Sequence, residues 1–137
     1  MSFTDAVRSG FSKYATFEGR ATRSEFWWWY LFTVLVGLVA YVPYLVLLGI
    51  GAATSDGGGA VSGVVTLLMV VFLILWILLV IALFIPTLAV GCRRLHDRGQ
   101  SGWLLLLYFV PCASIVLIVF FLLEGTPGDN AYGPKPT

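Results

Sequence analysis

Charge is what this chain has least of. Charged residues make up 11% of its 137 positions and hydrophobic residues 59%, where a soluble domain carries about 25% and about 45–50%. Three stretches hold no charge at all: Phe26 to Ser55, Gly57 to Cys92 and Gly99 to Leu123. With a mean hydropathy of +0.94, this is no soluble domain. Histidine occurs once and cysteine twice. Cys92 and His96 stand four apart and could share a helix face, but a structural zinc site takes about four such ligands. No metal and no other cofactor is expected, and Cys92 and Cys112 read as small buried hydrophobes. A lone histidine beside Asp97 is also thin material for catalysis, because chain neighbours cannot face one substrate from the same side of a helix.

The apolar stretches carry the fold. A bilayer core of about 30 Å takes roughly 20 helical residues, and unpaired backbone in lipid forces the helix. The densest parts are residues 26–51, 64–91 and 103–123. The expected fold class is an all-α membrane protein, a single integral membrane domain over 1–137. It has three transmembrane helices preceded by an amphipathic interfacial helix. The first run is too long for a secretory signal, whose apolar part is about 7–15 residues. After Gly63 the second run has only Pro86 to interrupt it, which favours one long, tilted or kinked span over a hairpin of two. Pro43 should bend the first span, and Pro111 lies inside the third. Trp76, near the middle of the second, needs a partner for its indole N–H and so favours a protein-facing position.

Residues 3–18 repeat Phe3, Val7, Phe11, Tyr14 and Phe17 at helical spacing, with Arg8, Ser9, Ser12 and Lys13 between. A helix of this kind lies in the headgroup plane; packing of the same stripe on protein is the alternative. Gly19 is expected to break it. Thr22-x-x-Glu25 matches a capping box, with Thr22 capping the first span and Glu25 reaching back to the Thr22 amide. Trp27, Trp28, Trp29 and Tyr30, with Trp103 at the start of the third span, form an interfacial aromatic belt. Three consecutive tryptophans point three ways, so at least one faces protein. The loop around 54–63 reads as flexible, and the tail over 124–137 as irregular turns.

Net charge is +1, and its distribution says more than its size. Arg8, Lys13, Arg20 and Arg23 precede the first span, and Arg93, Arg94 and Arg98 lie between the second and third. Three spans place seven of the eight basic residues on one side, which the positive-inside bias makes cytoplasmic. The N-terminus is then inside, and the tail, with Lys135, outside. The charged stretch "CRRLHDRGQSGW" becomes a cytoplasmic hairpin. Asp97 and Gln100 could cap the third span, Gly99 and Gly102 allow a tight reversal, and Arg93 and Arg94 suit the end of a helix dipole. Those roles explain much of the stretch. The alternative is a polar cluster at headgroup level built from Arg20, Arg23, Glu25, Arg94, His96, Asp97 and Arg98. In it Arg20 or Arg23 would pair with Asp97, or Glu25 with Arg94 or Arg98. His96 would be buried against Trp103 or the belt, one nitrogen on a carboxylate or carbonyl.

Three stretches resemble one known family. "FEGRATRSEFWWWYLF" before the first span, "RRLHDRGQSGWLLLL" entering the third and "EGTPGDNAYGP" in the tail are similar to the signatures of the domain-of-unknown-function 805 family, small bacterial inner-membrane proteins. The resemblance covers nearly the whole chain in order. It implies that Gly19, Arg20, Arg23, Glu25, Arg94, Leu95, His96, Asp97, Gly102 and Trp103 occupy motif positions. Gly125, Thr126, Pro127, Gly128, Asn130, Gly133 and Pro134 do so in the tail. It implies no reaction.

The expected function is that of a non-catalytic protein of the bacterial inner membrane, binding lipid or a partner through its charged cytoplasmic face. Anionic headgroups suit surplus arginine. A homo-oligomer or a partner membrane protein is expected, and nucleic acid is not. A subunit of an oligomeric channel or transporter is the first alternative, disfavoured because the spans carry no ionisable residue to mark a path. A lipid-modifying enzyme is the second.

Overall fold

The two long apolar runs form the helices that their length demands. The computed structural model describes residues 1–54 and 59–136. After a short α1 (Phe3–Ser12), α2 covers Arg23–Ala53 and α3 covers Gly59–Asp97. At 1.5 Å per residue these are about 46 and 58 Å long, more than a bilayer core of about 30 Å. Both are apolar enough to cross a membrane. Pro43 and Pro86 lie inside them without ending them. The second run is thus one helix. It starts within the stretch read as a flexible loop, of which 55–58 lie outside the described residues.

The chain divides into two compact units, Thr33–Leu83 and the remainder. Within Thr33–Leu83, Trp76 donates its indole N–H to the Gly37 carbonyl at 3.1 Å, and Tyr41 packs on the Trp76 ring at 5.5 Å. A Cβ on Gly51 would touch Val65. Gly37 matched with Trp76 and Gly51 with Val65 means that these stretches of α2 and α3 run antiparallel. Leu38, Val39, Leu67 and Ile81 are exposed, which suits a helix pair solvated by lipid rather than water.

The other unit holds Met1–Phe32 and Phe84–Thr137. Ser2 caps α1, accepting from the Asp5 amide and donating to its carboxylate at 2.6 Å. That bonding holds the Asp5 carboxyl below its usual range. The helix ends at Ser12, not near residue 18. Residues past it are drawn to α3 instead: the Ala21 amide donates to the Arg93 carbonyl at 3.0 Å, and Gly19 sits at φ +85°. The α1 stripe packs partly on protein. Phe3 meets Trp28 and Phe32, and Phe11 meets Trp29 and Phe32. Gly10 lies against the Trp29 ring with no room for a Cβ. Of the three tryptophans, Trp29 is 1% exposed and Trp28 39%. The buried Trp29 gives its N–H to Thr87 at 3.1 Å.

The third apolar run is not one helix. It forms a 3-10 helix (Gly102–Phe109), a turn, and a nine-residue α4 (Ser114–Leu122). Pro111 has no amide hydrogen to continue the first piece, and Cys112 takes a left-handed φ of 66°. The segment also begins and ends beside the same turn of α3. The Gln100 amide bonds the Leu95 carbonyl at 3.0 Å, and the Leu123 carbonyl accepts from Arg94. It goes out and returns, where a span would cross. The tail, expected on the opposite side from the charged stretch, is therefore folded onto it. It is irregular apart from one bridge between Asn130 and Gly133.

Candidate functional site

The charged stretch is mostly helix. Arg93 to Asp97 form the last turns of α3, which closes in a Schellman arrangement: the Gly99 amide bonds the His96 carbonyl and the Gln100 amide that of Leu95. Gly99 supplies the left-handed residue this requires, at φ +70°. Asp97 does not cap the following helix. Ser101 does, its hydroxyl accepting from the Trp103 amide.

Asp97 instead sits between two arginines. Arg20 reaches Oδ1 through Nε and Nη2 at 2.9 Å, and Arg94 Nη1 holds Oδ2. Arg94 is fully buried, and Arg20 and Asp97 are 7% and 5% exposed. Their remaining donors go to backbone. Arg20 binds the carbonyls of Thr126, Gly128 and Gly133. Arg94 binds those of Phe121 and Leu123, where the end of α4 leaves carbonyls without helical partners. The tail answers at the end of α3. The Thr126 amide donates to the Asp97 carbonyl at 2.8 Å, and Asn130 Nδ2 to that of His96 at 2.9 Å. A Cβ at Gly125 would collide with the Asp97 carboxylate.

Glu25 makes a second buried pair, but with Arg93. Nη1 lies 2.9 Å from Oε1, which also accepts from Ser9 at 2.8 Å. Thr22 does cap α2, accepting from the Glu25 amide, while the carboxylate turns to α1 and α3 rather than back to Thr22. Arg93 was missing from the cluster read in the sequence, and Arg94 and Arg98 do not meet Glu25. Adjacent helical residues point about 100° apart, so Arg93 faces Glu25 while Arg94 faces α4. Nε and Nη2 of Arg93 are buried without a partner among the described residues. Arg23 pairs with Glu124 at 3.0 Å in the open, and Arg98 holds the Glu124 carbonyl.

His96 is half-buried, and its stacking partner is neither Trp103 nor the belt at Trp27 to Tyr30. Its ring stacks on Tyr132 with centroids 3.9 Å apart and planes 3° from parallel. Nδ1 lies 3.2 Å from the Gly19 carbonyl. Trp103 is 79% exposed. Among the described residues, no three His, Cys, Asp or Glu side chains gather to hold a metal ion. The tail partners, Tyr132 above all, could not have been found from the sequence, since they presuppose that the chain returns. The arrangement is a clasp: two carboxylates and three arginines tie α1, α2, α3, α4 and the tail together.

Comparison with known proteins agrees with these motifs. The chain is 37% identical over 124 residues to inner membrane protein YhaI of Escherichia coli (strain K12), covering 90% of this chain and 87% of that protein. It is 35% identical over 128 residues to inner membrane protein YhaH of the same strain, covering 90% and 88%. No solved structure matches. The model of a family described as protein of unknown function (DUF805) matches residues 14–134, and the chain belongs to that family.

Proposed function

We propose that this is a non-catalytic, two-pass protein of the bacterial inner membrane that binds anionic lipid with its cytoplasmic end. In this reading α2 and α3 cross the bilayer and the 103–123 segment is re-entrant. Both termini are cytoplasmic. The observation that carries the reading is the return of the tail. With the tail on the clasp, Lys135 joins Arg8, Lys13, Arg20, Arg23, Arg93, Arg94 and Arg98, so all 8 basic residues gather in one unit. The positive-inside bias puts such an end in the cytoplasm. The clasp ties both ends of the re-entrant segment to the last turns of α3.

The clasp sets three arginines against two carboxylates, and the spare Arg93 donors are buried away from the surface, so anion binding falls to the exposed cations. Arg8 on α1 and Lys13 just past its end are exposed, at the headgroup level that the aromatic contacts of α1 with α2 set. Each basic residue near an anionic surface contributes about 1 kcal/mol. The test is native mass spectrometry of the delipidated protein titrated with phosphatidylglycerol and with phosphatidylethanolamine. Preferential retention of phosphatidylglycerol is expected, with a loss of about thirtyfold in the Arg8→Gln, Lys13→Gln double variant. Equal retention of the two lipids would overturn the reading.

A further inference from the structure

Beside the clasp lies a cavity of about 560 Å³ that no charged side chain lines. This volume is in the range of small-molecule sites, about 300–1,000 Å³. One wall is a stripe of α3. Phe84, Leu88, Cys92 and His96 recur every four residues, so they share a face over about 18 Å. The stripe begins aromatic and aliphatic and ends in a thiol and an imidazole. The facing wall is the 3-10 helix, which repeats the gradient from Ser101 and Gly102 to Leu106 and Phe109. Both walls run from polar at the clasp to apolar away from it, the order of groups along a membrane lipid.

The polar end has a definite hydrogen-bond sense. A carbonyl only accepts, so His96 Nδ1, 3.2 Å from the Gly19 carbonyl, carries the ring proton. Nε2 is then an acceptor. Stacking on Tyr132 fixes the ring plane, and Nε2 lies 3.5 Å from Cys92 Sγ, whose S–H is a weak donor. A Cβ at position 102 would collide with Cys92 Sγ, so glycine there makes room for the thiol beside Nε2. An anionic head finds no cation in this cavity, and a zwitterionic one finds no counter-charge. A hydroxyl finds an acceptor it can satisfy.

We propose that this cavity binds one chain of an uncharged amphiphile whose head donates a hydroxyl to His96 Nε2, as in an acylglycerol or a long-chain alcohol. The site is separate from the exposed cations of α1 and does not depend on their lipid preference. The probes are 1-mono-oleoylglycerol and methyl oleate, which share the chain and differ in the hydroxyls, titrated by native mass spectrometry onto the full-length protein in detergent. Wild type is expected to bind the monoglyceride about five- to tenfold more tightly, the worth of one net hydrogen bond. His96→Phe keeps the stacking surface and should bind both probes alike, within about twofold. Leu88→Trp fills the apolar half and should lose both. If Leu88→Trp does not fold, Leu106→Trp takes its place from the opposite wall. Equal binding of the two probes by wild type, a preference that survives His96→Phe, or undiminished binding to the filled cavity would each overturn the proposal.

Discussion

Asp97 holds two buried guanidiniums and, through its own carbonyl, the first turn of the tail. Removing one partner of a buried ion pair costs about 3–5 kcal/mol, because the other is left charged and dry. Asp97→Ala is therefore expected to lower the melting temperature of the solubilised protein sharply and to expose the tail to protease. Arg23→Gln breaks a pair whose side chains are 50% and 82% exposed, and should cost less than about 1 kcal/mol. Equal shifts in the two variants would deny the clasp its structural weight. At this scale the sequence was partly legible. Charge complementarity matched Asp97 with Arg20 or Arg23, of which Arg20 makes the pair, but nothing in it told which of two adjacent arginines would face Glu25. The imidazole's bond to a carbonyl was legible as a need, while its stacking partner was not.

Helices of great length were read well, since Arg23–Ala53 and Gly59–Asp97 follow from uninterrupted apolar runs. The shorter elements were decided by contacts between residues far apart. Arg93 and His96 hold residues 19–21 against α3, and Arg94 draws the end of α4 back to it. Hydropathy measures whether 103–123 could lie in lipid, not whether it runs straight. The turn at Pro111-Cys112 is where the two differ. A left-handed φ costs a residue with a side chain about 1–2 kcal/mol, so Cys112→Gly is expected to raise the melting temperature. Cys112→Val, β-branched in the same conformation, should lower it. If glycine destabilises and valine does not, the left-handed turn is wrong.

For the whole molecule, the number of crossings depends on the tail. Three apolar runs predict an odd number and a C-terminus opposite the arginines. The bonds from Arg20 to Thr126, Gly128 and Gly133, and the stacking of Tyr132 on His96, require both on one face. That return could not be seen in composition, because the tail is polar enough for either side and its single Lys135 carries little topological weight alone. The direct measurement is a pair of C-terminal fusions in a bacterial host, green fluorescent protein and alkaline phosphatase, with a second pair at residue 58. The C-terminal fusion should fluoresce and show no phosphatase activity, and the fusion at residue 58 should do the reverse. Phosphatase activity at the C-terminus, with a dark fluorescent fusion, would contradict the two-pass reading and restore three spans.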